Sequence, residues 1–119
     1  MKTEVRKVGS TSVLSISGKI TLGEASQTLR AALDQLVLDG SHQIVLNLAD
    51  VPFMDSAGLG VLALNFANTK AAGAMLKVAE AQARVKEAVE LVRLNHLFPL
   101  YATEQEAIDS FGVSDSAAP

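Results

Sequence analysis

This sequence predicts an α/β domain: a mainly parallel sheet of four to five strands with an antiparallel N-terminal edge strand and helices mostly on one face. Three observations lead there. Short apolar runs of period two alternate with amphipathic runs of ten or more residues, and such alternation calls for right-handed strand-helix-strand crossovers between parallel strands. The first two strand patterns are joined by a turn too short for a helix, so they form a hairpin. Within the strands, apolar residues alternate with polar or smaller ones, whereas a sheet wrapped on both faces by helices carries nearly continuous apolar runs.

Val5 to Val8 and Ser12 to Lys19 read as the two hairpin strands around Gly9-Ser10, with Leu14 and Ile16 alternating with Ser15 and Ser17. Thr21-Leu22-Gly23-Glu24 has the form of a capping box, and Ala25, Leu29, Ala32, Leu33 and Leu36 continue a helix that stops at Gly40. Gln43 to Leu48 is the next strand. After a Pro-containing turn, a helix runs from Ser56 to near Gly73, hiding Leu59, Leu62, Ala63 and Phe66 and turning Ala57, Gly58, Asn65, Asn68 and Thr69 toward solvent. Met75 to Val78 repeats the strand pattern. A third helix spans about Ala81 to Leu94 with Val85, Ala88, Val89 and Val92 on its inner face, and Asn95 is suited to a left-handed C-terminal position. Pro99-Leu100-Tyr101-Ala102 reads as a short last strand. Thr103-Glu104-Gln105-Glu106 is a second capping box, opening a helix through Phe111. Residues 1–111 then make the domain, and 112–119 a flexible tail of small and polar residues.

A chain of 119 residues supports one core, and with 49% apolar residues it is a folded globular domain. A net charge of −3 without any basic stripe argues against nucleic acid as a partner, because that affinity rests on clustered Lys and Arg. The absence of cysteine removes disulfides, thiol chemistry and thiolate metal sites. The start Met1-Lys2-Thr3-Glu4-Val5-Arg6 lacks the apolar stretch of a signal peptide, and no run approaches the length of a membrane span. A cytoplasmic protein without membrane contact is expected.

The segment from Leu46 to Gly60 carries the functional information. It delivers Asp55-Ser56 to the start of a helix, where unpaired backbone N–H groups and the positive end of the helix dipole favour an oxyanion or phosphate. Ser56 is therefore a candidate phosphoacceptor. Asp and Ser are also the preferred N-caps of any helix, so a purely structural reading stands beside it. Gly58 and Gly60 favour the functional one, since each costs about 1 kcal/mol of helix stability relative to Ala and points to a close approach by a partner or a phosphate. Asp50 is expected to bond local backbone across the Val51-Pro52 turn.

Enzymatic constellations are missing around this serine. A nucleophile elbow needs small residues two before and two after the serine, and position 54 is Met. His42 and His96, the two imidazoles, have no spacing that points to Ser56. Asp50 and Asp55 alone make a poor metal set, and Gly58-Leu59-Gly60 fits neither the dinucleotide fingerprint nor the phosphate loop. Neither catalysis, metal nor cofactor is expected. A helix-start serine without these partners suits a switch, because phosphorylation adds nearly two charges and three acceptor oxygens.

Asp50-(x4)-Asp55-Ser56-x-Gly58-Leu59-Gly60 after a strand resembles the signature of the STAS domain, named for sulfate transporters and anti-sigma-factor antagonists. The likeness runs from Val5 to Phe111 and includes Gly18-Lys19-Ile20, Ala25-(x3)-Leu29-Arg30 and Leu94-Asn95-His96-Leu97-Phe98. Gly18-Lys19-Ile20-Thr21-Leu22-Gly23-Glu24-Ala25 is similar to the free-standing anti-sigma-factor antagonist branch. The resemblance implies a monomer or weak dimer that binds an anti-sigma factor acting also as a serine-protein kinase, so releasing a sigma factor and regulating transcription. It implies Ser56 as the phosphorylation site, a PP2C-type phosphatase that reverses it, and Thr21, Asp55, Ser56, Ala57, Gly58 and Leu59 as partner-binding residues. Thr21 stands where many antagonists carry an aspartate, and Ala57 where a second serine is common. The alternatives are a scaffold subunit of a stressosome-like sensory assembly and a ligand-binding module for a nucleotide or lipid.

Overall fold

The computed structural model describes the backbone of residues 2–117 and the side chains of residues 2–111. In chain order it has β1 (Lys2–Val8), β2 (Thr11–Ser17), α1 (Glu24–Leu38), β3 (Gln43–Asp50), α2 (Ser56–Ala71), β4 (Met75–Ala79), α3 (Ala83–Leu91), a 3-10 turn (Leu94–His96), β5 (Leu100–Tyr101) and α4 (Glu104–Ala117). The five strands lie in sequential order, β1 antiparallel to β2 and every later pair parallel. This is the predicted architecture.

The period of two sorts the strand residues onto two unequal layers. Leu14, Ile16, Ile44, Leu46, Leu48, Leu76 and Val78 point to one face, where Leu29, Leu33 and Leu36 of α1, Leu59 and Leu62 of α2, and Val85 and Val89 of α3 complete the main core. Val13, Val45 and Ala79 point to the other face and are covered by Ala107 and Phe111 of α4. Three helices on one side and one on the other explain why the second face reads as only lightly apolar. Lys77, on that second face and only 4% exposed, places its ammonium 4.2 Å from the centre of the Phe111 ring and donates to Ser110 Oγ at 2.6 Å.

Several expectations are corrected by local geometry. The Thr21 capping box does not form: α1 starts at Glu24 behind Gly23, whose φ of 107° is open to glycine, and Ser26 N–H donates to the Thr21 carbonyl instead. α3 ends at Leu91, and Arg93, not Asn95, takes the left-handed conformation with φ 61°. Val92, expected inside, is left exposed by that early exit. Asn65 and Thr69, expected in solvent, are buried at 1% exposure each; Asn65 Nδ2 donates to Asp34 Oδ1 of α1 and Thr69 Oγ1 to the Asn65 carbonyl. α4 is assigned to Ala117, past the helix end expected at Phe111. Side chains from 112 onward, and residues 118 and 119 altogether, lie outside the described residues.

Candidate functional site

The loops that follow β2 and β3, at the C-terminal ends of two adjacent parallel strands, are zipped together and set the start of α2. Gly18 N–H donates to the Asp50 carbonyl at 3.0 Å, Ile20 N–H to the Phe53 carbonyl at 3.0 Å, and Asp55 N–H to the Ile20 carbonyl at 3.1 Å. Ile20 and Met54 form a parallel bridge, and both side chains are buried. The β3–α2 turn itself is closed by backbone: Val51 N–H donates to the Leu48 carbonyl at 3.0 Å, and Asn47 Oδ1 accepts from Ala49 N–H at 2.9 Å. Asp50 is exposed and its carboxylate holds no hydrogen bond among the described residues, so the bracing role expected of it belongs to Asn47.

Asp55 is the N-cap of α2, with extended φ −89° and ψ −175°. Its Oδ1 accepts from Gly58 N–H at 3.0 Å, satisfying one unpaired amide of the first turn, while Oδ2 accepts from Leu22 N–H at 2.9 Å. One carboxylate thus ties the helix start to the neighbouring loop. The Gly58 and Leu22 amides, which favour the ionised form against the opposing pull of desolvation, hold this carboxyl below the usual carboxylate range.

Ser56 is the first residue of the sixteen-residue helix α2 and is exposed, with its hydroxyl in none of the hydrogen bonds among the described residues. His42 immediately precedes β3 and Ser56 follows its far end, so the eight-residue strand separates them by about 25 Å. His96 lies in the 3-10 turn before β5, at the same far end of the parallel strands.

Around Ser56 the remaining site residues divide. Thr21 and Ala57 are half-buried, while Gly58 and Leu59 are buried. Gly58 is corrected as an exposed contact: a Cβ there would lie 2.6 Å from Met54 Cγ and 2.7 Å from the Ile20 carbonyl oxygen, so the close approach that its presence signals is made by the protein's own loop. Gly60 is the open one, with nothing within 4 Å of where a Cβ would stand. Leu59 holds the helix to the core from beneath. Two residues absent from the sequence-based set join the surface. Leu22 is 81% exposed, a large apolar side chain held outward by the Asp55 clamp on its own backbone. Arg84, the second residue of α3, sits with its guanidinium carbon 5.4 Å from the centre of the half-buried Phe53 ring. Neither was legible, because each depends on which loops lie side by side.

Comparison with known proteins agrees with this geometry. The sequence matches the family model of the STAS domain over residues 2–107. The chain belongs to the STAS domain family. Among solved structures it is similar to an anti-sigma factor antagonist from Mycobacterium paratuberculosis, at 27% identity over 92% of each chain and a TM-score of 0.80. It shares its fold with the phosphorylated form of the Bacillus cell fate determinant SpoIIAA, at 22% identity over 92% of this chain and 99% of that one, TM-score 0.70. A sulfate transporter family protein from Wolinella succinogenes also has this fold, at 16% identity over 89% of this chain and 88% of that one, TM-score 0.77. None of the helices among the described residues is long and apolar enough to cross a membrane.

Proposed function

We propose that this protein is a cytoplasmic anti-sigma factor antagonist, a phosphorylation-switched module that binds an anti-sigma factor with serine kinase activity and thereby releases a sigma factor. The observation that carries this reading is the exposed Ser56 hydroxyl at the start of a long helix, flanked by the exposed Leu22 that Asp55 holds in place. The similarity to an anti-sigma factor antagonist over nearly the whole chain supports it, as does the sharing of a fold with a protein known in unphosphorylated and phosphorylated forms. Thr21, Leu22, Asp55, Ser56 and Ala57 form the docking surface in this reading, with Gly58 and Leu59 fixing it from below.

The chemistry is supplied by the partner. In the kinase reaction the γ-phosphoryl group of ATP passes to Ser56 Oγ, the bond to the ADP oxygen breaks, and the serine proton leaves to a base of the kinase. A PP2C-type phosphatase restores the serine by hydrolysis: water takes the phosphoryl group, the bond from phosphorus to Ser56 Oγ breaks, the hydroxyl regains a proton and inorganic phosphate leaves. The product carries nearly two charges beside the Asp55 carboxylate. At the rim of a close-packed interface that group must be desolvated, which outweighs the contacts a small hydroxyl makes, so modification ends binding. The fold survives, because the helix dipole favours the phosphate by about 0.3–1 kcal/mol.

Incubation with the cognate kinase and ATP, followed by mass mapping, is expected to place one phosphate on Ser56. In direct titration Ser56→Asp is expected to bind the kinase at least about tenfold more weakly than wild type, a loss of roughly 1.4 kcal/mol. Ser56→Ala binds as wild type and resists inactivation by ATP. Equal or tighter binding by Ser56→Asp, with an unchanged circular dichroism spectrum, refutes the off-switch.

A further inference from the structure

The outer edge of β1 is open. β1 stands first in the strand order and is paired on one side only, by β2, and Lys2 to Lys7 are all exposed. Such an edge presents unpaired N–H and C=O groups along its length and accepts another strand wherever the side chains permit. The opposite edge of the sheet offers far less, since β5 has two residues.

Charge selects the strand that fits. When two copies join antiparallel about a two-fold axis normal to the sheet, facing residues lie on the same face, so the axis must pass through a residue that meets itself. Centred on Val5, the register uses all seven residues of β1: Glu4 faces Arg6 twice, Thr3 faces Lys7, Lys2 faces Val8 and Val5 faces Val5. Centred on Glu4, it opposes Glu4 to itself and Lys2 to Arg6; centred on Arg6, it opposes that arginine to itself. Directly opposed like charges destabilise a strand pair and opposite charges stabilise it, so of the registers that use at least five residues of the strand the Val5-centred one is selected.

The surroundings suit that register. Val5 is 49% exposed and lies at the mouth of a hollow of about 370 Å³ whose floor includes Leu14, Ala32 and Leu36 and whose rim carries Lys7, Gln35 and Asp39, so the Val5 pair meets apolar surface between polar flanks. Arg6 already pairs with Glu104 of α4 yet stays 44% exposed, and its planar fork has further N–H donors to offer. We propose that two copies of this chain pair antiparallel through β1, centred on Val5, into one continuous ten-stranded sheet. The dimer is weak, because a seven-residue edge lies below the area of a standard stable interface. The two-fold axis runs the sheets in opposite directions, so the two Ser56 helix starts stand at opposite ends, both open to a partner.

Sedimentation velocity on the full chain between about 10 µM and about 1 mM is expected to show the mass rising from 12.5 kDa toward twice that value. Glu4→Arg alone and Arg6→Glu alone should each stay monomeric, because the two-fold axis then opposes like charges, whereas their equimolar mixture should dimerise with both charge pairs restored. Cross-linking provides a readout independent of those variants' stability. The chain has no cysteine, so Val5→Cys should form a disulfide between copies under mild oxidation, and Thr3→Cys, which faces position 7, should not. A wild type that stays monomeric through the range, a mixture that fails to associate, or equal cross-linking at positions 3 and 5 overturns the proposal and leaves the β1 edge to a strand from another protein.

Discussion

The starts of α1 and α2 follow adjacent parallel strands, carry cap-like residues in the sequence, and differ in how they are held. α1 begins behind Gly23 with no side-chain cap; its first turn is secured by Ser26 N–H on the Thr21 carbonyl and Gln27 N–H on the Gly23 carbonyl, both at 3.1 Å. α2 begins behind Asp55, whose carboxylate takes an amide from its own helix and another from the α1 loop. Each start also carries a glycine for a different reason. Gly23 has open space for a Cβ and a backbone that side chains avoid, whereas Gly58 is pressed against Ile20 and Met54. The α2 start, where Ser56 stands, is thus built from packing and from a carboxylate that joins two loops, and the α1 start from bonds within its own segment, backbone amides and the Ser26 hydroxyl on the Gly23 carbonyl. The switch proposed for Ser56, in which a phosphate is added and removed without unfolding, calls for the first kind of construction.

The sharpest way to break that contrast is Gly58→Ala. The added methyl meets a backbone oxygen as well as the buried Met54 side chain, so the loop must shift; overpacking of this kind costs about 1–3 kcal/mol. A fall of that size in chemical denaturation is expected, larger than for the substitutions at Asp55, Gly60 and Thr21 that follow. An unchanged midpoint would mean that the two loops give way, and that α2 is not seated as tightly as α1 is loose.

Asp55 comes next. Its carboxyl is held below its ordinary range in the folded state, so its contribution to stability is complete above the unfolded carboxylate pKa and is lost as pH falls through the lower, folded value. Asp55→Ala should therefore lower the melting temperature at neutral pH by less than Gly58→Ala does. It should also flatten the acid limb of the stability profile, and both measurements check the clamp. The Arg6–Glu104 pair has the same sign, with Glu104 held down mainly by its hydrogen bond to Arg6, so an Asp55→Ala chain keeps part of its acid sensitivity.

How much of this was legible follows from what each feature depends on. The order and direction of the strands follow from local periodicity and chain connection, and so the sheet was readable throughout. That Gly58 marks a close approach was readable, because a glycine in a first helical turn needs a reason; the approach expected was that of a partner or a phosphate, and it is made instead by Ile20 and Met54, because Ile20 lies in another loop that local spacing does not place. Asn65 and Thr69 misled because a polar residue on a helix is ordinarily outside. Here Asp34 of α1 supplies a partner for Asn65, and nothing in the spacing of α2 announces a polar residue on a different helix. Leu22 and Arg84 became part of the site for the same nonlocal reason.

Gly60 offers the reverse of Gly58 at two residues' distance. It is exposed, it lies inside α2, and nothing stands near its Cβ position. Gly60→Ala should raise stability by about 0.5–1 kcal/mol through helix propensity alone. If kinase binding falls while stability rises, Gly60 is a point of close contact with the partner; unchanged binding leaves Gly60 outside the docking surface of Thr21, Leu22, Asp55, Ser56 and Ala57.

The smallest effect is expected at Thr21, and it tests the other half of the comparison. The threonine side chain makes no cap hydrogen bond, and α1 is closed by the Thr21 carbonyl, which any residue supplies. Thr21→Ala should then shift the denaturation midpoint within about 0.5 kcal/mol, the ordinary range for a substitution away from packing or capping features. A larger loss would show that the hydroxyl caps the helix in solution and that the two starts are built alike. Partner affinity is a separate axis. Thr21 is half-buried beside Leu22, and the Asp55 clamp fixes Leu22 through its backbone, so removing the hydroxyl leaves the apolar contact in place. Weaker binding at unchanged stability would assign the Thr21 hydroxyl to the docking surface itself; unchanged binding would assign recognition on this loop to Leu22.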